Sequence, residues 1–110
     1  MYKVNGNIWI EGKNGAFIGL GRMKLLEGIK QHGSITVAAR SMKMSYRQAW
    51  ELVDSMNKGS SKPLIVTAAG GVGGGGTIVT AEGDKAIKHF KQLQARFDKF
   101  KKSETTKLRL

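Results

Sequence analysis

Tyr46, Arg47 and Gln48 stand in a row and carry side chains that can read base edges in double-stranded DNA. An arginine can donate two parallel hydrogen bonds to guanine O6 and N7, and a glutamine can pair with adenine N6 and N7. Glu51 follows one helical turn after Arg47, where it can accept from cytosine N4 or hold the arginine in place. Ser45, just before the three, starts the helix that carries them. Ser34 and Thr36 flank another helix start, where hydroxyls and free N–H groups can bond a backbone phosphate. Arg40, Lys43 and Lys62 add positive charge. Trp50 and Asp54 read differently: the indole as a core or edge aromatic, the carboxylate as a group that repels phosphate.

Other chemistries find little support. Gly71-x-Gly73-x-x-Gly76 fits a dinucleotide fingerprint in form, but that fingerprint needs a strand before it and a helix after it. Here the strand-forming run Thr77–Thr80 comes after it, and no lysine separates Gly76 from Thr77 as a phosphate-binding loop requires. The glycine run reads instead as the tip of a β-hairpin, a wing, whose Gly71, Gly73 and Thr77 touch DNA backbone or minor groove. His32 and His89 have no serine or carboxylate at a telling spacing, and no His, Asp and Glu cluster suggests a metal. No enzyme activity, cofactor or metal is expected.

These residues need elements to position them. Ser34 caps one helix, Lys43 and Met44 make a turn, and Ser45 caps a second helix with Gln48 three residues on, the spacing of a capping box. Ala49, Leu52, Val53 and Met56 then form one apolar stripe, leaving Arg47, Glu51, Asp54, Ser55 and Lys58 on the polar side. Val37, Ala38 and Ala39 are small enough for the second helix to pack on the first. Before this pair, residues 7–11 and 16–20 read as a β-hairpin punctuated by Gly12, Asn14 and Gly15, and a helix runs from about Arg22 to His32 with Gly33 just past its end. After it, Leu64–Thr67 and Thr77–Thr80 are the wing strands. Thr80 caps a last helix over about 81–102, in which Ala86, Phe90, Leu93, Phe97 and Phe100 recur as a heptad seam suited to pairing with a second copy. Residues 103–110 read as a flexible basic tail.

Composition bounds the partners. A 110-residue chain with a net charge of +11 and no cysteine has no disulfide frame and favours polyanions. No apolar run reaches a membrane span, and the N-terminus lacks the continuous apolar region of a signal peptide, so a cytoplasmic location without membrane contact is expected.

The stretch GSITVAARSMKMSYRQAWELVDSMN, followed by GGVGGGGTIVTAEG, resembles the N-terminal DNA-binding domain of the ModE-type molybdate-dependent regulators, whose winged helix is itself LysR-like. The resemblance implies a dimeric transcription regulator with the helix around Ser45–Lys58 in the major groove and a wing at about 68–77. It also implies dimer contacts from the first helix, including Ile29, and from the last. Family members carry a C-terminal molybdate-binding region that these 110 residues do not include, so molybdate is not expected as a ligand. Ala69 and Val72 stand where members commonly have basic wing residues, which leaves phosphate contacts to backbone N–H groups and to Thr67 or Thr77.

The expected fold is mainly α with small β: a winged helix-turn-helix over 1–102, with an N-terminal β-hairpin and a long C-terminal dimerisation helix. The expected function is a homodimeric, sequence-specific regulator of double-stranded DNA. A non-specific architectural DNA-binding protein and a winged-helix protein–protein module are the alternatives.

Overall fold

The computed structural model describes residues 1–67 and 76–109. The chain is mainly helical and runs β1 (Trp9–Gly12), β2 (Gly15–Gly19), α1 (Leu20–His32), α2 (Ile35–Ser41), α3 (Tyr46–Lys58), β3 (Ile65–Thr67), β4 (Thr77–Val79) and α4 (Ala81–Lys107). The two strand pairs are separate antiparallel hairpins.

β1 and β2 turn through Lys13 and Asn14, with Gly15 at φ 102°, a backbone region that glycine enters without steric cost. A bulge falls between Ile10 and Glu11, and Ile18 is the hairpin's fully buried residue. α1 begins at Leu20, two residues before the expected start. It ends as expected on Gly33, whose left-handed backbone (φ 65°) lets its N–H bond the carbonyl of Ile29 at 2.7 Å.

α2 and α3 pack on α1 through small residues and a continuous apolar stripe. A Cβ on Gly28 would lie 3.2 Å from Ala38 Cβ, so α1 and α2 approach at a glycine and an alanine. Ala38 and Ala39 are buried, whereas Val37 faces outward. The turn after α2 closes on two bonds, Lys43 N–H to the Arg40 carbonyl (3.1 Å) and Met44 N–H to the Ala39 carbonyl (2.9 Å). Lys43 sits at φ 55°, in the left-handed position that a helix end of this kind usually gives to glycine. On α3, Ala49, Val53 and Met56 are buried and Leu52 packs beside them, which is the stripe that the sequence periodicity predicts.

α4 differs most from expectation. It continues to Lys107, and a rise of about 1.5 Å per residue makes it roughly 40 Å long. Its first half belongs to the core: Gly83, Ile87 and Phe90 are buried, with Ala86 and Leu93 against them. Phe90 and Ile29 are fully enclosed within this chain. Both are thus covered by their own chain, since a spacing of three and four residues serves a helix's own domain as well as it serves a partner. Beyond the core, the N-terminal segment lies along α4. Val4 N–H bonds Thr105 Oγ1 at 2.8 Å, and Gly6 lies close against the Phe97 ring. Residues 103–107, expected as part of a flexible tail, are helical here, and this contact falls among them. Phe97 and Phe100 stack at 6.4 Å between centroids, and Phe100 remains 56% exposed.

Gly83 exposes how tightly α4 is seated. A Cβ there would fall 2.5 Å from the Leu64 carbonyl oxygen and 2.6 Å from Val79 Cγ1. Replacing a helical glycine with alanine ordinarily stabilises by about 1 kcal/mol. At this position the clash should reverse the sign, and Gly83→Ala should destabilise by about 1–3 kcal/mol in urea unfolding. A gain in stability would mean that α4 and β3 sit further apart than described.

Candidate nucleic-acid interface

The N-terminal turn of α3 is held by a complete capping box. Ser45 Oγ accepts from Gln48 N–H at 3.1 Å, and Gln48 Oε1 accepts from Ser45 N–H at 3.1 Å. The carbonyl oxygen that Gln48 would present to adenine N6 is thus engaged within the helix. The residue holds the helix start first, and its side-chain NH2 is the part that still points to a ligand.

Arg47 reaches out from the next position, with its side chain 88% exposed. Its Nε donates to Glu51 Oε1 at 3.2 Å, one turn on. Both terminal nitrogens stay available for the two-pronged contact that guanine accepts, while the carboxylate fixes the plane of the guanidinium. Glu51 therefore orients Arg47 in this structure. Asp54 pairs with Lys58 at 2.8 Å, in keeping with a structural role.

Tyr46 and Trp50 are both about half exposed, at 54% and 48%. Of the core and edge roles expected for Trp50, the half-exposed indole takes the edge. With Asn57 these residues follow one flank of α3, at spacings of four and seven, and that flank faces β3. Together with Ile35, Val53, Asp54, Ile65, Val66 and Thr67 they line an open depression of about 360 Å³.

The remaining expected contacts are scattered around this helix. Ser34 Oγ accepts from Val37 N–H at 3.1 Å, and Thr36 is exposed on the first turn of α2. Arg40, Lys43 and Lys62 are exposed. Thr77 lies half buried at the start of β4, and its N–H is taken by the Gly33 carbonyl at 2.9 Å. Gly71 and Gly73 lie outside the described residues. His32 and His89 are on the surface, and no group of three or more His, Cys, Asp or Glu among the described residues could hold a metal ion. No described helix is long and apolar enough to cross a membrane.

Two clamps hold the interface, and neither was evident in the sequence. Asn57 Oδ1 accepts from the N–H groups of Leu64 (2.9 Å) and Ile65 (3.2 Å), while its Nδ2 donates to the Ile65 carbonyl at 2.9 Å. An α3 side chain thus bonds β3 as a neighbouring strand would. Arg22 Nη1 donates to the carbonyls of Ala16 (3.0 Å) and Phe17 (3.3 Å) and to Ser55 Oγ (3.1 Å), joining the first hairpin to α3. An asparagine in the last turn of a helix, followed by a short loop and a strand, is the local signal for the first. Arg22 offers no such signal, because its partners lie in two other elements.

A short helix, a tight turn and a capped amphipathic helix thus present an exposed arginine and two aromatics beside a small hairpin: the class is a small helical domain built to display one helix. The chain matches no established family model. It is 40% identical over 76 residues to the molybdenum transport protein ModE of Azotobacter vinelandii, covering 69% of this chain and 28% of that protein. It is 40% identical over 78 residues to the transcriptional regulator ModE of Haemophilus influenzae, covering 71% of this chain and 31% of the relative. The molybdenum-pterin-binding protein MopB of Rhodobacter capsulatus is 39% identical over 83 residues, 76% of this chain and 31% of its own length. Over this matched region the chain is homologous to the ModE-type regulators, and it spans less than a third of the length of each of these relatives.

The Asn57 clamp generates a direct test. Asn57→Ala would strand two N–H groups and a carbonyl on the buried residues Leu64 and Ile65. Stability should fall by about 2–3 kcal/mol. A loss below about 0.5 kcal/mol in chemical denaturation would show that water replaces the side chain freely.

Proposed function

We propose that this chain is a winged helix-turn-helix domain of a ModE-type transcription regulator that binds double-stranded DNA as a homodimer and catalyses no reaction. The observation that carries this reading is the exposed, Glu51-oriented Arg47 on a capped helix, in a region homologous to proteins named as transcriptional regulators. α2 and α3 are the helix-turn-helix, with α3 in the major groove, and the β3–β4 hairpin is the wing beside it. Ser34, Thr36, Arg40, Lys43 and Lys62 supply phosphate contacts around the reading helix, and Gly71, Gly73 and Thr77 are the wing's contribution. Ser45 and Gln48 hold the helix start, and Gln48 adds its amide NH2. The net charge of +11 drives first association with any duplex.

Selection from a random duplex pool tests sequence preference. Arg47→Ala should cost about 1–3 kcal/mol on the selected sites and clearly less on unrelated DNA. Equal losses on both would leave Arg47 as a phosphate contact only, and a selection that returns no motif would favour the architectural alternative.

The dimer surface in this reading is the outer part of the last helix and the segment beside it. Phe97, Phe100 and Leu93 form its centre, and the exposed Trp9 and Leu20 border it, lining an open depression together with Gln94 and Asp98 of α4. Phe90 and Ile29 support it from within. Phe100→Glu leaves the core untouched and should halve the mass in solution by light scattering. An unchanged mass would remove the dimer from this proposal.

A further inference from the structure

We propose that Tyr46 and Trp50 form an apolar reader of the thymine C5-methyl group, so that the domain selects thymine-bearing steps beside the base contacted by Arg47. The inference rests on the DNA-binding reading above and gives it a substrate preference.

Two half-exposed aromatics, one turn apart on a helix, are an expensive surface to leave facing water. They do not belong to the core, since α3 already buries Ala49, Val53 and Met56 on its inner side. Their flank borders an open depression between α3 and β3 whose lining is mixed, with Val66 and the buried Ile35 and Ile65 as its apolar part and Asp54, Asn57 and Thr67 as its polar part. Val66 is itself exposed, which extends the patch to the edge of the hairpin.

Charge decides what covers this patch. Arg47 lies on the same turn of α3, and Lys43 and Arg40 are exposed on the turn and helix before it. The nearby carboxylates are engaged, Glu51 by Arg47 and Asp54 by Lys58. A second copy of a chain with a net charge of +11 would bring like charge to that rim. A polyanion matches it. When a helix enters the major groove, the one apolar group that the base pairs present there is the thymine methyl. Apolar side chains beside an arginine therefore suit a step in which thymine neighbours guanine or its partner.

The experiment uses the intact chain and a random-sequence duplex pool. Bound duplexes are recovered, amplified, and remade in two forms, one with thymidine and one with deoxyuridine, which lacks only the C5-methyl. The wild-type protein should bind the thymidine form about fourfold more tightly for each methyl contacted. Trp50→Ala should bind both forms equally, at the level of the deoxyuridine form, and Tyr46→Ala should lose part of the difference. Both residues are exposed, so the variants should keep the wild-type circular dichroism, and Trp50→Phe, which retains an apolar ring, should keep most of the preference. Equal binding of wild type to the two forms would overturn this inference and leave the DNA-binding reading standing. So would a preference that Trp50→Ala leaves intact, or a fall in solution mass on Trp50→Ala, which would make the patch an interface between copies. No binding to either form at low salt would overturn both readings together.

Discussion

The backbone of Leu64 is the point on which the rest of the structure depends. Its N–H is taken by Asn57 of α3. Its carbonyl accepts from Thr80 N–H at 2.9 Å and lies 3.1 Å from Thr80 Oγ1, which also lies 2.7 Å from the Pro63 carbonyl. The same Thr80 oxygen accepts from Gly83 N–H and so caps α4. Gly83 then fits against the Leu64 carbonyl with no room for a Cβ. α3, β3, β4 and α4 are tied together through one buried residue. An unpaired polar backbone group costs free energy inside a protein, so each of these partners is held where it is by the others.

That junction explains how α3 can be displayed rather than enclosed. A helix in a small domain must bury one face, and α3 does so with small and medium side chains. Its ends are fixed by polar bonds: the capping box at Ser45 and Gln48, and the Asn57 clamp near the other end. Apart from the Arg22–Ser55 clamp, the outward face carries the Arg47–Glu51 and Asp54–Lys58 pairs. These are exposed and contribute little to stability, under about 1 kcal/mol each, but the first sets where the arginine points. Gln48 shows the same division from the other side, since an acceptor engaged in a cap is not also free for a base.

α4 joins two environments. Its first half is core, centred on Phe90, and truncation of a buried phenylalanine costs about 3–5 kcal/mol. Ion pairs from Lys30 to Asp84 and from Lys91 to Glu27 border the same contact between α1 and α4. Its second half runs past the core and is accompanied by the N-terminal segment, which the Val4–Thr105 bond attaches. The long dimension of the molecule, 63 Å against 28 and 20 Å, follows from this projecting helix and its companion. Phe97 marks the change, with Gly6 on one side, Phe100 stacked on the other and Lys101 Nζ 4.9 Å from the ring centre.

Local rules in the sequence were enough for the order of elements, for Gly33 as the end of α1, for the caps at Ser34, Ser45 and Thr80, and for the buried stripe of α3. Each depends on residues within about one helical turn or one hairpin of each other, and their chemistry is the same wherever the element lies. What lies across space was not legible. The i,i+3/i+4 pattern of Ala86, Phe90, Leu93, Phe97 and Phe100 states that one face is apolar, not whether its own chain or another covers it. Likewise Trp50 is a large apolar residue on an amphipathic helix, and only the distance left between α3 and β3 decides that it stays open. The sequence by itself determined the helices, their caps and the charge that favours a polyanion. The tertiary structure alone decided that Phe90 is core, that Asn57 and Arg22 are clamps, and that Tyr46 and Trp50 are surface, because burial is a property of what packs alongside and not of the residue.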